Sequence, residues 1–190
     1  MKRISLSIVL ILFAFTAFSQ TWVSDPAHSR LGFTISHLTI SHIAGDFKQF
    51  DVKVVSTKAD HSDAKIEVTA QIASINTEVE QRDTHLKSAD FFDAQQYPTL
   101  VFKSTSITRI KGKNYKLLGN LTMHGITKPV VLNVTFNGTV INPMNKKETS
   151  GFTIIGSLKR SDFAIGPKFP EAMVGDKVTL LASAEFSPNK

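Results

Sequence analysis

The chain has 190 residues, of which 42% are hydrophobic and 20% charged, and it contains no cysteine. This length suits one domain with a sizeable core, and the lack of cysteine excludes a disulfide framework and a lipoprotein anchor. The net charge of +6 falls to +4 without Lys2 and Arg3, and the basic residues are scattered. This argues against a nucleic-acid partner and is compatible with transient contact with a membrane surface or a membrane protein.

The first nineteen residues have the layout of a secretory signal peptide. Two basic residues precede an apolar run over residues 4–18, which is short for a membrane span, and Ala17 and Ser19 are small residues at −3 and −1. We expect cleavage between Ser19 and Gln20, which leaves a mature domain of residues 20–190 in the periplasm or outside the cell. The alternative is a retained N-terminal anchor.

Most of the remaining chain alternates apolar and polar residues, which predicts β-strands. The pattern is clearest over residues 65–71, where Ile66, Val68 and Ala70 share one face. Gly112 and Gly125 lie in segments typical of hairpin turns. We therefore predict an all-β, antiparallel fold of roughly eight strands closed as a barrel, with a β-sandwich as the competing architecture. The other predicted strands cover residues 31–37, 47–54, 99–107, 115–123, 130–136, 152–158 and 178–186.

One segment, near residues 78–94, interrupts the strand pattern and predicts a helical insert. Thr77 and Glu80 have the spacing of a capping box, so a helix is expected to begin near Glu78 and to end near Ser88. Ser88 could cap a second short turn that carries Phe91 and Phe92. We expect this insert to act as a lid against the sheet or across the open end of a barrel.

Several positions in phase with the apolar strand faces carry small residues, and two interpretations of them remain open. Small side chains would leave room inside an eight-stranded barrel for one small ligand. They would equally suit the taper of a filled barrel or close packing of the helix. These residues are Ala70, Gly119, Gly156, Ala182 and Ala184.

The sequence shows little sign of catalysis or of a metal site. His37 and His42 would face opposite sides of a regular strand, and no zinc-hydrolase, nucleophile-elbow or phosphate-loop motif is present. We therefore predict no metal, no cofactor and no catalytic residues. Asp83, Asp90 and Asp93 cluster in the lid, which keeps open a pair of carboxylates that act as acid and base. This alternative is disfavoured because aspartate is common at helix caps and in turns.

Four groups of residues together resemble the YceI-like family, lipocalin-like proteins that bind polyisoprenoid or other long-chain lipids. The resemblance covers essentially the whole mature chain, and one departure is Ala164, where similar proteins commonly carry glycine. It implies an antiparallel, lipocalin-like barrel with an apolar tunnel and a helix beside its mouth. The groups are Trp22, Asp25, His28-Ser29, Phe33, His37, Gly45 and Phe47; Arg82-Asp83-x-His85-Leu86-x-Ser88-x-Asp90-Phe91-Phe92-Asp93 with Tyr97-Pro98 and Phe102; Gly119-x-Leu121-Thr122-x-x-Gly125-x-Thr127; and Arg160-x-Asp162-Phe163.

With this resemblance, the sequence predicts a secreted carrier for a long apolar chain such as a polyisoprenoid, an isoprenoid quinone or a fatty-acid derivative, and not an enzyme. At the mouth we expect Arg82, His85, Phe91, Phe92 and Arg160, where the two arginines either contact a polar head group or pair with lid carboxylates. The residues expected to line the cavity are Phe33, Ile35, Ala70, Leu117, Gly119, Leu121, Ile154, Gly156, Leu180 and Ala182.

Two other functions remain open at this point. A lipid-acting hydrolase or isomerase would use His85 with Asp83 and Asp90. A structural or interaction protein would have a cavity that serves no purpose of its own. The sequence does not indicate the head group or the oligomeric state.

Overall fold

A computed structural model describes residues 20–58 and 61–189, so the expected signal peptide at residues 1–19 lies outside the described residues. Nearly all of the described chain is β-strand. In chain order the elements are β1 Gln20–Ser24, β2 Arg30–His37, β3 Ser41–Phe47, β4 Phe50–Ser56, β5 Lys65–Gln71, β6 Ile75–Asn76, α1 Glu80–Lys87, β7 Thr99–Lys111, β8 Asn114–Met123, β9 Ile126–Ile141, β10 Glu148–Lys159 and β11 Val174–Pro188.

Eight of these strands close into an antiparallel barrel in the order β1-β4-β5-β7-β8-β9-β10-β11. The ring closes at β1, which pairs with β4 on one side and with the end of β11 on the other, where Trp22 faces Pro188. Closure leaves no unpaired edge around the ring. The predicted all-β antiparallel barrel is confirmed.

The strand β11 is long enough to serve two neighbours along the same edge. Its last residues pair with β1, whereas residues 174–183 pair with β2, which continues into β3 and the short β6. These extra strands lengthen the wall at one end of the barrel. That end, where β6 leads into α1, is called the mouth below, and the end around Trp22 is called the closed end.

Tight turns join the long strands of the barrel. Lys111 pairs with Asn114 across a two-residue loop in which Gly112 has a φ of +57°. Met123 pairs with Ile126 across His124 and Gly125, whose φ angles of +52° and +72° fit the hairpin turn that follows the right-handed strand twist. Both hairpins agree with the turns predicted from the sequence.

The helix α1 is present as predicted, but the expected capping box is wrong. The N-cap residue is Val79, which makes no capping hydrogen bond through its side chain. Glu78 has a φ of +64°, so the chain turns sharply and Thr77 lies outside the helix. The Thr77 hydroxyl and amide both donate to the Asp83 carboxylate, at 2.5 and 2.9 Å, so the hydroxyl does not accept from the first-turn amides as a capping residue would. Within the described residues, no helix is long and apolar enough to cross a membrane.

A compact aromatic cluster fills the closed end of the barrel. Trp22, Val54, Ala64 and Phe186 are buried there, and Phe152 packs against them. The ring of Phe152 lies with its centroid 5.8 Å from that of Phe186 at 67°, which is the edge-to-face geometry that aromatic pairs prefer. In a chain without disulfides, burial of this kind stabilises the barrel.

Candidate functional site

A cavity of about 450 Å³ lies inside the barrel and extends from the closed end to the mouth. Trp22 and Phe186 line it at the closed end, whereas Leu86 of α1 and Phe169 of the loop between β10 and β11 line it at the mouth. Most side chains on the wall are aliphatic or aromatic, and polar atoms contribute little of the surface that faces the cavity. Its size falls within the range of ligand-binding cavities in proteins.

Seven of the ten residues expected to line a cavity lie on its wall. They come from β2, β8, β10 and β11, whose inward-facing positions alternate with outward-facing ones. The seven are Phe33, Ile35, Leu117, Leu121, Ile154, Leu180 and Ala182. Sequence reasoning did not single out the wall residues of β4 and β5, although Ile66 and Val68 stand on the apolar face of the clearest alternating segment.

The other three expected wall residues, Ala70, Gly119 and Gly156, lie off the cavity wall. Ala70 is completely buried within the packed core. A Cβ on Gly119 would stand 2.4 Å from the ring of Phe102, and one on Gly156 would stand 2.4 Å from Leu132. The two glycines thus give room to large neighbouring side chains that reach the cavity in their place. Of the five small residues on the apolar faces, only Ala182 and Ala184 line the cavity.

At the mouth, Arg82 belongs to a hydrogen-bonded group that fixes the start of α1. Its Nε donates to the Thr77 hydroxyl and its Nη2 donates to the Thr77 carbonyl, both at 2.6 Å. The buried carboxylate of Asp83 accepts from the Thr77 hydroxyl and from its amide. Arg82 also lines the cavity, so it combines a structural role with a place on the wall.

Arg160 holds the loop over residues 164–174 together. Only 6% of the residue is exposed, and its guanidinium donates five hydrogen bonds, all to backbone carbonyls. A guanidinium has five N–H donors, so all of them are used. The acceptors are the carbonyl oxygens of Ile165, Gly166, Phe169, Val174 and Gly175. Of the two alternatives, head-group contact or pairing with a lid carboxylate, the second is not what satisfies the guanidinium, because these carbonyls take all of its donors.

His85 and two phenylalanines connect the lid to the same loop. The rings of Phe91 and Phe169 stack, and His85 meets both edge-on with centroids 5.0 and 5.6 Å away. Asp90 accepts from Lys168 at 2.8 Å and lies 3.5 Å from His85. The hydrogen bond and the charge of Lys168 lower the pKa of the Asp90 carboxyl below its ordinary value. The fifth mouth residue, Phe92, also lines the cavity.

The closed end contains a buried histidine that sequence reasoning missed. His61 lines the cavity, and its ring meets Trp22 edge-on with centroids 4.5 Å apart. Its Nε2 lies 3.3 Å from the hydroxyl of the fully buried Ser150. The sequence around His61 is a polar loop between strands, so no periodic pattern marks this residue as an inward one.

Outside the cavity, the described residues bring together one group with the donor set of a metal site: Asp25, His28 and Glu185. His28 Nδ1 lies 2.8 Å from the Asp25 carboxylate. This contact raises the pKa of the His28 imidazole and lowers that of the Asp25 carboxyl. Asp25 is also the N-cap of a short 3₁₀ turn over Pro26–His28, where it accepts from the Ala27 amide, and this turn brings His28 to Asp25 without an ion.

Comparisons with known proteins agree with this architecture. A profile of the YceI-like domain matches residues 22–186. A UPF0312 protein of Staphylococcus aureus is 40% identical over 169 residues, which cover 86% of this chain and 95% of the relative. The crystal structure of a Campylobacter jejuni YceI protein superposes with a TM-score of 0.74 at 32% identity, covering 82% of this chain and 90% of that one.

A more distant structure shares the fold alone. It is described as a polyisoprenoid binding domain from Saccharophagus degradans implicated in plant cell wall breakdown. The superposition has a TM-score of 0.61 at 14% identity and covers 88% of this chain and 98% of that one.

Proposed function

This chain belongs to the family of YceI-like domains, and on that premise we propose that it binds a long apolar chain, isoprenoid or acyl, inside the barrel and carries it outside the cytoplasm. The observation that carries this proposal is the apolar wall that runs from Phe186 at the closed end to Leu86 and Phe169 at the mouth. The polyisoprenoid named for the Saccharophagus degradans domain makes isoprenoids the first ligands to test.

The chemistry of the wall favours an apolar chain over a polar metabolite. Burial of each CH₂ group contributes about 0.8 kcal/mol, so a chain of many such groups binds well without specific polar contacts. A polar metabolite would lose its hydration inside the cavity and would gain few hydrogen bonds from the wall in exchange. A head group at the mouth would meet His85, whose side chain is half exposed beside Asp90 and Lys168.

The lid geometry supports a carrier over a hydrolase or isomerase. Asp83 accepts hydrogen bonds from Thr77, and Asp90 accepts from Lys168. Both carboxylates therefore have structural partners. Lys168 favours the ionised form of Asp90, which can hold an ion pair but has no proton to donate as a general acid. Arg160 likewise has a structural role, because its guanidinium donates to backbone carbonyls of the loop over residues 164–174.

The proposal is tested by native mass spectrometry of protein purified from its own host, followed by lipid extraction. We expect one intact apolar ligand for each chain and reloading of the emptied protein by a fluorescent fatty acid or prenol. A protein that arrives empty and binds neither probe would refute the carrier function. Chemical change of the added lipid that disappears in His85→Ala would establish the enzyme instead.

A further inference from the structure

Beside the mouth lies a small exposed apolar surface formed by Leu38, Ile40 and Met173, called the rim patch below. These side chains are 46%, 83% and 47% exposed. The Leu38 amide donates to the Met173 carbonyl at 3.0 Å, so the β2–β3 turn and the loop before β11 are joined. Single exposed apolar residues are common on soluble proteins, but adjoining ones mark interaction surfaces.

The rim patch is continuous with the wall of the cavity. Met173 belongs to both, because it lines the cavity while half of it faces solvent. His37 and Ile43, which flank the turn on β2 and β3, also line the cavity. An apolar chain that leaves the cavity at this place therefore passes from one apolar surface directly to another.

The turn itself presents its side chains outward at a conformational cost. Leu38 and Thr39 have φ angles of +51° and +61°, the left-handed region that a β-branched residue such as Thr39 rarely adopts. The Ile40 amide donates to the His37 carbonyl at 3.2 Å and holds the turn closed. Such backbone strain often accompanies a functional surface.

The β2–β3 turn of the rim patch carries no negative charge that would repel an anionic surface. Residues 26–45 contain no Asp or Glu, and the exposed His37 and His42 flank the turn. On the neighbouring loop the charge of Lys168 is balanced by Asp90 and Glu171 is exposed and negative, so attraction to an anionic surface comes from the net charge of the whole chain. The chain without residues 1–19 carries a net positive charge, which attracts it to anionic head groups.

We propose that the rim patch inserts into a lipid surface, so that the mouth takes up or delivers its apolar ligand at the bilayer without exposing it to water. The inference rests on the proposed carrier function for its purpose, whereas the surface contact itself can be tested separately. We favour a bilayer over a protein partner because a bilayer accommodates the exposed apolar side chains, and because the turn has no carboxylates that anionic head groups would repel.

The test uses protein-free vesicles of phosphatidylcholine with a minority of phosphatidylglycerol that contain a fluorescent prenol. Three proteins are compared: the natural chain without residues 1–19, its double variant Leu38→Ser/Ile40→Ser (the rim variant), and a control with Ile141→Ser/Met144→Ser. The control removes two exposed apolar side chains from the β9–β10 hairpin, which lies towards the closed end, where Ser150 pairs with Phe186. Vesicle flotation, the rate of prenol transfer and prenol binding without vesicles are measured.

We expect the rim variant to lose flotation and to transfer prenol at least about tenfold more slowly, since insertion depends on buried apolar area. Its prenol binding without vesicles and its melting temperature should be unchanged, and the control should behave like the natural chain. Loss of flotation in the control alone would assign docking to the hairpin and overturn the inference. A natural chain that does not float would also overturn it and point to a protein partner. Failure to bind prenol, with flotation retained, would refute the carrier function alone.

Discussion

The rings of Phe91 and Phe169 stack with their centroids 4.7 Å apart and their planes 17° from parallel. Phe91 follows α1, whereas Phe169 belongs to the loop that Arg160 holds, so this contact joins the lid to the loop across the mouth. Both residues also line the cavity. The same pair therefore closes one side of the mouth and supplies part of its apolar surface.

Arg160→Lys should destabilise the protein without a change in ligand preference. Lysine has three donors at one point and cannot reach the five carbonyls that Arg160 satisfies. Each buried carbonyl left without a partner costs about 1–3 kcal/mol, so we expect a loss above about 3 kcal/mol in the free energy of unfolding. Denaturant unfolding measures this loss, and hydrogen exchange should rise over residues 160–175. Lys159→Ala, at an exposed neighbour, is the control. Native stability with lost lipid binding would instead make Arg160 a head-group ligand.

Ala164→Gly should stabilise the protein. Ala164 has φ and ψ of +53° and 30°, in the left-handed region that disfavours a residue with a Cβ. Relief of that strain exceeds the extra entropy of glycine, so we expect a gain of up to about 1 kcal/mol in the free energy of unfolding. The control is Ala172→Gly in the same loop, where φ is negative and glycine should destabilise. Equal destabilisation by both changes would contradict this account.

The sequence predicted most of the strands, because burial on one face imposes a period of two on them. It missed β1 and β6, and the strand predicted over residues 47–54 is wrong in its bounds, because the chain breaks between β3 and β4 at residues 48–49. Residues 65–71 were predicted with the observed bounds of β5. β9 is longer than predicted, because it extends beyond the alternating segment to residues 126–141, where Lys128 and Asn137 are not on an apolar face. The ends of β9 are set by backbone pairing with the neighbouring strands, and the polarity of its side chains does not indicate where that pairing stops.

Features that depend on contacts between distant residues could not be predicted from local patterns. The partner of Thr77 is Asp83 and not Glu80, because the positive φ of Glu78 redirects the chain. Gly119 looked like part of a wall, but the space beside it is filled by Phe102 from the neighbouring strand. His61 is buried through the fold of its loop, which no periodic pattern in the sequence indicates.

The loop that carries His61 should lose stability in acid through Asp63. Burial alone would raise the pKa of the Asp63 carboxyl, but hydrogen bonds from the hydroxyls of Ser56 and Thr57 and from the Thr57 and Lys58 amides outweigh burial and hold the pKa well below its ordinary range. Because the folded-state pKa is depressed, the ionised carboxylate stabilises the fold fully above the unfolded-state pKa of about 3.9. That stabilisation is lost as the pH falls from there through the folded-state pKa.

Asp63→Asn should therefore lower the free energy of unfolding by about 1.5–3 kcal/mol at neutral pH, the range for hydrogen bonds to a charged group. The difference between the variant and the natural chain should shrink as the pH falls below about 4, where the natural chain begins to lose the same contribution. Denaturant unfolding across this pH range measures the effect. Asp51→Asn, at an exposed position on β4, is the control. A difference independent of pH would show that shape, and not charge, matters at this position.

Ala182→Phe should remove ligand binding while the barrel stays folded. Ala182 lies on β11, lines the cavity and faces Ile154 and Leu31 on the two neighbouring strands, so an added ring enters space that an apolar chain would occupy. Gly156→Leu would not serve, because its side chain would collide with Leu132 and overpack the wall at a cost of about 1–3 kcal/mol. The matched control is Leu181→Phe, one residue away on the outer, exposed face of the strand. Prenol binding and thermal unfolding should be measured on both variants. We expect Ala182→Phe to melt close to the natural chain and to bind no prenol, and Leu181→Phe to bind normally. Undiminished binding by a folded Ala182→Phe would place the ligand outside the barrel, and the apolar wall would then be core and not a binding site.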